Sequence, residues 1–418
     1  MISKYLLPGL LTSLLSLTAV AQEFPTPPDL PPTILARQVL DADPGVAAAR
    51  ALLEASRADA EMFAAGPYEF STRLIGQRRD VQSRASYGEW SVGLERSVRL
   101  PGKASLDRAI GQQVFAEAEA RYGDALHQAS RDLLKLWMTW LGAEAAHTLL
   151  AEQRSSAEEN LRAVKKRFRA GDAARLDIHM AEAELEDIKR RESETRTEST
   201  IALANLQGRF PGIQARPTPL SQARTLERDL AFWKTQITAH SHELRIPQAQ
   251  LARAQTEAKR ARAERLPDPT LGIHAVSELG GAERIIGLSV SIPIPGARRG
   301  LEAARAESAL QAARAQLNMQ TRMVETETSA AVARAQGAYA SWEAADRAAA
   351  AMRANAQLMQ RAYKLGEVDL QNLLLARRQA LDSSLITQKN QIEALNAQYL
   401  LLVDAHLIWD METSDHDE

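Results

Sequence analysis

Between Pro101 and Pro211, and again from Pro295 to the C-terminus, the chain contains no proline. Both intervals are rich in Ala, Leu, Glu, Gln, Arg and Lys, which propagate helix best, whereas proline breaks it. Each interval has one natural break, Arg169-Ala170-Gly171-Asp172 and Lys364-Leu365-Gly366-Glu367. There, glycine just past a helix end supplies the left-handed conformation that other residues resist. Each interval therefore reads as an antiparallel helical hairpin. The arm from Lys103 to Arg169 is on the order of 100 Å long at 1.5 Å per residue.

The arms carry a coiled-coil pattern. Leu374, Leu381, Leu395 and Leu402 fall on one seven-residue register, with Gln388 the polar exception. Ile178, Ala181, Leu185 and Ile188 recur at three- and four-residue steps. Sustained heptads mean helices packed along their length on partners.

The hairpins are copies of one another. Phe168-Arg169-Ala170-Gly171 matches Tyr363-Lys364-Leu365-Gly366 at an offset of 195 residues, and Asn160 and Asn355 share it. Upstream, Leu100-Pro101-Gly102-Lys103 matches Ile294-Pro295-Gly296-Ala297 at an offset of 194. A near-constant offset over such a span marks a tandem duplication.

Two short alternating segments precede each hairpin. Tyr68, Phe70, Thr72 and Leu74 share one face of the first, and Trp90, Val92, Leu94 and Val98 one face of the second. In the second copy Leu271, Ile273 and Ala275 alternate with Gly272 and His274, and Ile286, Leu288, Val290 and Ile292 with Gly287, Ser289 and Ser291. Period two over about ten residues suits a transmembrane strand, apolar to lipid and polar to a lumen. The same pattern marks a half-buried strand in a soluble sheet. Four strands cannot close a barrel, and open edges are not tolerated in lipid. Three copies would supply about twelve strands, within the range of known barrels.

The N-terminus reads as an export signal. Lys4 precedes an apolar stretch broken by Pro8 and Gly9 and closed by Ala19-Val20-Ala21, which predicts cleavage before Gln22. Prolines 25, 27, 28, 31 and 32 follow, read as an extended spacer.

Composition removes much chemistry. With no cysteine, disulfides, thiolate metal sites and cysteine nucleophiles are excluded. Fifty-one basic residues face 53 acidic ones, so no field of one sign exists to hold nucleic acid. No phosphate-binding loop, dinucleotide fingerprint or nucleophile elbow occurs. The histidines are scattered apart from His240-Ser241-His242, so no metal site and no cofactor is predicted. Asp415-His416-Asp417-Glu418 reads as a frayed tail.

This layout resembles the TolC family of trimeric outer-membrane efflux channels. The most telling residues are the corners Arg99-Leu100-Pro101-Gly102-Lys103 and Ile292-Pro293-Ile294-Pro295-Gly296-Ala297-Arg298, together with the two hairpin tips. The proline–glycine corners followed by basic residues are most similar to the branch serving heavy-metal (cobalt-zinc-cadmium type) cation pumps. The resemblance implies an α+β membrane protein of the outer membrane that extends into the periplasm. Long coiled-coil hairpins would form an α-barrel, and four transmembrane strands per protomer would form a trimeric 12-stranded β-barrel. It implies a homotrimer in outer-membrane lipid, a periplasmic adaptor (membrane fusion) protein and an inner-membrane efflux pump as partners, and no enzymatic activity. It also implies that Arg169, Gly171, Lys364 and Gly366 at the tips contact the adaptor, and that Asp177, Asp369 and Asn372 line the pore constriction. Asp177 stands six positions after its tip glycine, where the family commonly carries an acidic residue, and Asn372 departs from that pattern. The residues alone leave Asp177 equally readable as a solvated carboxylate in the first turn of a helix.

The predicted organisation is a signal peptide at 1–21, a Pro-rich extension at 22–35 and a first repeat at 36–210, with strands at 67–77 and 87–99 and a tip at 169–172. A linker at 211–240 leads to a second repeat at 241–410, with strands at 269–278 and 284–294 and a tip at 364–367. An acidic tail occupies 411–418. Two alternatives stay open: a soluble periplasmic coiled-coil adaptor or scaffold, and the same channel exporting drugs or a secreted polypeptide.

Overall fold

A computed structural model describes residues 24–80, 82 and 86–409. The predicted signal peptide and acidic tail lie outside the described residues. In chain order the elements are α1 (Thr33–Asp41), α2 (Pro44–Ala65), β1 (Ser71–Asp80), β2 (Ser86–Ser97), α3 (Lys103–Arg169) and α4 (Arg175–Arg209). Then come α5 (Leu230–His240), α6 (His242–Ala263), β3 (Thr270–Glu278), β4 (Glu283–Ser291), α7 (Ala297–Leu365) and α8 (Leu370–Asp404).

The long helices α3 and α7 run for 67 and 69 residues, each antiparallel to a 35-residue partner. Because the partner spans only half the long arm, the remainder is covered by the 22-residue helices α2 and α6. Asp43 starts α2 by accepting hydrogen bonds from Gly45 N–H (2.8 Å) and Val46 N–H (3.2 Å), with Pro44 at the first helical position. Gly111 lets α2 close on α3, where a Cβ would meet the Ala60 backbone at 2.9 Å. Of the heptad residues, Ala181, Leu185, Ile188, Leu381 and Leu395 are buried, and Ile178, Leu374 and Leu402 are half-buried. Gln388 leaves Oε1 buried without a hydrogen-bond partner among the described residues.

The four strands form one antiparallel sheet in the order β1-β2-β3-β4. β1 begins four residues after the predicted start at 67, because Tyr68 is drawn aside, its hydroxyl donating to Asp268 Oδ2 at 2.8 Å. β4 ends at Ser291, short of the predicted 294, since Pro293 cannot donate to a ladder.

The main core sits at mid-height, around Leu133, Trp137, Met138 and Trp140 of α3. Here the proline-rich segment departs from its reading as a spacer. Asp29 is fully buried and accepts hydrogen bonds from Ser221 N–H (2.9 Å), Ser221 Oγ (2.8 Å) and Tyr399 Oη (2.8 Å). Trp137 Nε1 donates to the Asp29 carbonyl (2.7 Å) and Trp409 Nε1 to the Pro31 carbonyl (3.0 Å). Residues 24–32 are therefore a strap docked on the core. The linker is similarly engaged, burying Phe210, Ile213 and Ala223 and containing α5.

Candidate channel surfaces and hairpin tips

The sheet register decides which residues share a face. Leu288 lies opposite Ile273, Ile273 opposite Leu94, and Leu94 opposite Thr72. One row along, Ile286, Ala275, Val92 and Leu74 align. All four apolar alternations thus fall on one side of the sheet, with Ile286 88% and Leu288 83% exposed. The opposite side carries the ion pairs, together with one apolar row of Ile75, Val276 and Ile285. Arg73 pairs with Glu95 (3.4 Å), Arg79 with Glu89 (2.9 Å) and Glu278 (3.4 Å), and Gln77 donates to Glu89 (2.8 Å). Strands of 9 to 12 residues are long enough to span a bilayer core. Among the described residues no helix is long and apolar enough to cross a membrane.

Where strands hand over to helices, charges are buried together. Lys103, 1% exposed, places Nζ 2.8 Å from Asp268 Oδ1 and 3.1 Å from Glu264 Oε2, and donates to the Leu266 carbonyl at 2.7 Å. Arg99 donates to the carbonyls of Phe63, Ala64 and Ala65 at the end of α2 and pairs with Asp107 at 3.0 Å. Burial pushes the Asp268 carboxyl up, but hydrogen bonds from Lys103, Leu100 N–H and Tyr68 outweigh it and hold the group below its ordinary value. Burial and the bond to Asp268 push the Tyr68 hydroxyl up to about 12. The basic residues of the first proline–glycine corner are thus a structural joint.

Both tips are built alike. Asp172 N–H bonds to the Arg167 carbonyl (2.9 Å) and Glu367 N–H to the Ala362 carbonyl (3.0 Å), with Gly171 and Gly366 at φ +85° and +78°. Arg169 Nε donates to the Lys165 carbonyl (3.3 Å), and the Arg167 guanidinium lies 4.8 Å from the centre of the Tyr363 ring, joining the two tips. Lys364 and Gly366 are exposed. Asp177 is half-buried at the third position of α4 and accepts from Ala174 N–H (2.9 Å). In α8 the roles invert, and Asp369, the exposed cap, accepts from Asn372 N–H (2.8 Å). Above the tips, α4 and α8 are linked by Arg191–Asp382 (2.8 Å) and Arg377–Glu184 (3.8 Å). Burial drives the Glu184 carboxyl up despite Arg377 and Asn160.

The structure also brings together four histidines that are scattered in the sequence. His127 of α3 and His240 and His242 at the α5–α6 junction have ring centres 5.3 to 5.8 Å from that of His406 after α8. Only the His240–His242 pair was visible as a motif; His127 and His406 carry no local signal.

Residues 35–208 match the sequence model of the outer membrane efflux protein family. No curated protein matches the chain. Among solved structures, CusC, described as forming a transmembrane channel, superposes with a TM-score of 0.75 at 18% identity, covering 89% of this chain and 91% of that one. VceC, the outer membrane protein of Vibrio cholerae, gives 0.72 at 16% identity, covering 89% and 95%. The open-state MtrE outer membrane channel of Neisseria gonorrhoeae gives 0.70 at 18% identity, covering 90% and 88%. The chain has the fold of the TolC-type outer membrane efflux channels. Within that fold the family match covers the first repeat, and the structural likeness extends through the second.

Proposed function

We propose that this protein is the outer-membrane channel of a tripartite efflux system, conducting heavy-metal cations passively from periplasm to exterior. The observation that carries the reading is the sheet register, which aligns four apolar alternations on one exposed face and ion-paired residues on the other. That is the division a barrel wall needs between lipid and a water-filled lumen. Since four strands leave two open edges, three protomers close the barrel, and the hairpins continue it as a periplasmic tunnel. An inner-membrane pump and its adaptor supply the driving force, docking at the tips around Arg169, Gly171, Lys364 and Gly366.

Asp177 and Asp369 place a carboxylate at the start of each inner arm, so a trimer carries rings of negative charge near its entrance, with Asn372 beside the second. Such rings favour cations. The cargo assignment is supported by this charge and by the resemblance of the proline–glycine corners to those of the metal-cation branch. Purified protein in planar bilayers is expected to show cation-selective conductance that falls in Asp177→Asn. An unchanged reversal potential would confine Asp177 to helix capping. Recovery of the protein from the soluble periplasm, with no conductance, would overturn the channel reading.

A further inference from the structure

Half of the chain's eight histidines meet at one point, between α3, the α5–α6 junction and the turn that follows α8. We infer that His127, His240, His242 and His406 form a binding site for a borderline divalent transition cation such as Zn2+. Imidazole nitrogen suits such ions, and two rings sharing one tetrahedral zinc have centres roughly 5 Å apart at a Zn–N distance of about 2 Å. The observed separations from His406 are 5.3, 5.8 and 5.3 Å.

One of the rings is already oriented as a ligand. His240 Nδ1 donates to the Gln236 carbonyl at 2.9 Å, which leaves the Nε2 lone pair available. His127 Nε2 stands 3.3 Å from Asp404 Oδ1, close to that carboxylate but without closing a hydrogen bond. Anchoring the second nitrogen to an oxygen is the usual outer-shell arrangement of metal-binding histidine. His242 is seated by Gly123, where any Cβ would collide with the imidazole. A glycine inside α3 sacrifices about 0.5–1 kcal/mol of helix stability for that close approach.

His406 supplies the strongest indication. Its φ is +55°, and Leu407 N–H bonds to the Leu402 carbonyl at 2.8 Å, the same helix ending that Gly171 and Gly366 make at the tips. A side chain therefore stands where both other ends use glycine, and this residue is the one that reaches the other three rings. Strain of this kind points to a role for the side chain. His127, His242 and His406 also form a wall shared by two cavities of about 640 and 390 Å³, which gives an ion access. The surroundings hold Asp124, Glu243, Glu327 and Asp404, with Arg131, Arg245 and Arg334 lining the same two cavities. Asp124 Oδ1 is buried without a hydrogen-bond partner among the described residues. The His127 and His406 planes are stacked within 6°, and no three donors among the described residues sit at metal geometry. Binding therefore turns the imidazoles, chiefly His406, out of their stack.

The site lies apart from the tips and the sheet, and its existence does not depend on the cargo. The test is equilibrium dialysis of the detergent-purified full chain, stripped by chelator, against micromolar Zn2+. One zinc per protomer is expected. His406→Gly suits its backbone conformation, so it folds, and it should bind at least tenfold more weakly, as should His127→Gln. Deleting residues 410–418 should leave binding unchanged, which separates the cluster from His416. Zn2+ should raise the Tm of the wild type and leave that of His406→Gly unmoved. Wild type that takes up no zinc, or His406→Gly that binds like wild type, would overturn the site. Zinc binding in a protein that conducts no metal cations would leave it standing.

Discussion

At the residue scale, α4 and α8 begin with opposite halves of one capping arrangement. In a full capping box the cap accepts from the third-position N–H, and the third side chain accepts from the cap N–H. Asp177 makes only the second bond and Asp369 only the first. The change from Asp177 to Asn372 between repeats is therefore compensated by the change from Ala174 to Asp369, and each arm keeps one carboxylate at its positive end. Asp369→Ala is expected to lower stability by about 1 kcal/mol, measured by thermal or denaturant unfolding. A stability equal to wild type would show that this cap contributes nothing. Gly171 and Gly366 carry a different constraint. No atom lies within 4 Å of a Cβ added to either, so valine there meets only the strain of the left-handed backbone, about 1–2 kcal/mol. The double variant Gly171→Val/Gly366→Val should fold and reach the outer membrane but lose pump-dependent resistance. Normal resistance would remove the tips from partner docking.

At the element scale, the strand-to-helix joint ties the start of α3 to the segment that leads into β3, and its centre is the Lys103–Asp268 pair. Removing one member of a buried ion pair typically costs about 3–5 kcal/mol, since the survivor is left uncompensated. Asp268→Asn should do so at neutral pH. The pH dependence has a definite sign. A carboxyl held below its ordinary value of 3.8 adds stability above that value and loses it as pH falls through the folded-state value. Wild type should therefore lose this contribution only on strong acidification, and Asp268→Asn should show a shallower acid limb in unfolding midpoints between pH 2 and 6. An unchanged limb would mean that the joint is already protonated or open. Glu184 behaves in the opposite sense. Its raised value means stability falls as pH rises through the acidic range, so Glu184→Gln should flatten that fall. Elements were readable from sequence because proline spacing, heptads and period two are local signals. Lys103, Asp268 and the histidine cluster were not, because their partners lie over a hundred residues away and nothing local marks a residue for a distant contact. The strap at Asp29 escaped for the same reason. Its prolines predict extension, while its docking depends on Ser221 and Tyr399.

At the scale of the whole molecule, every residue of β1 is exposed, and β4 is exposed along nearly its full length. These are the edge strands, each with one unpaired side. In lipid an unpaired edge leaves backbone groups unsatisfied, several kcal/mol for each, so a lone protomer cannot be the inserted species. Pairing β4 of one protomer with β1 of the next satisfies both edges, and three repeats of the four-stranded sheet give a barrel of about twelve strands, comfortably above the smallest of about eight. The native mass of the detergent-extracted protein should accordingly be about three times the chain mass, with no monomer in the membrane fraction. Leu288, apolar and 83% exposed near the middle of β4, reports on the same closure from the lipid side. Leu288→Arg should weaken insertion by about 2–4 kcal/mol if that position lies at mid-bilayer. Arg73→Leu, on the polar face, should leave membrane insertion nearly untouched. If the two variants yield equal amounts of trimer, the faces are wrongly assigned to lipid and lumen. A detergent-free monomer would mean that the edges are satisfied by water, and the sheet would then belong to a soluble domain.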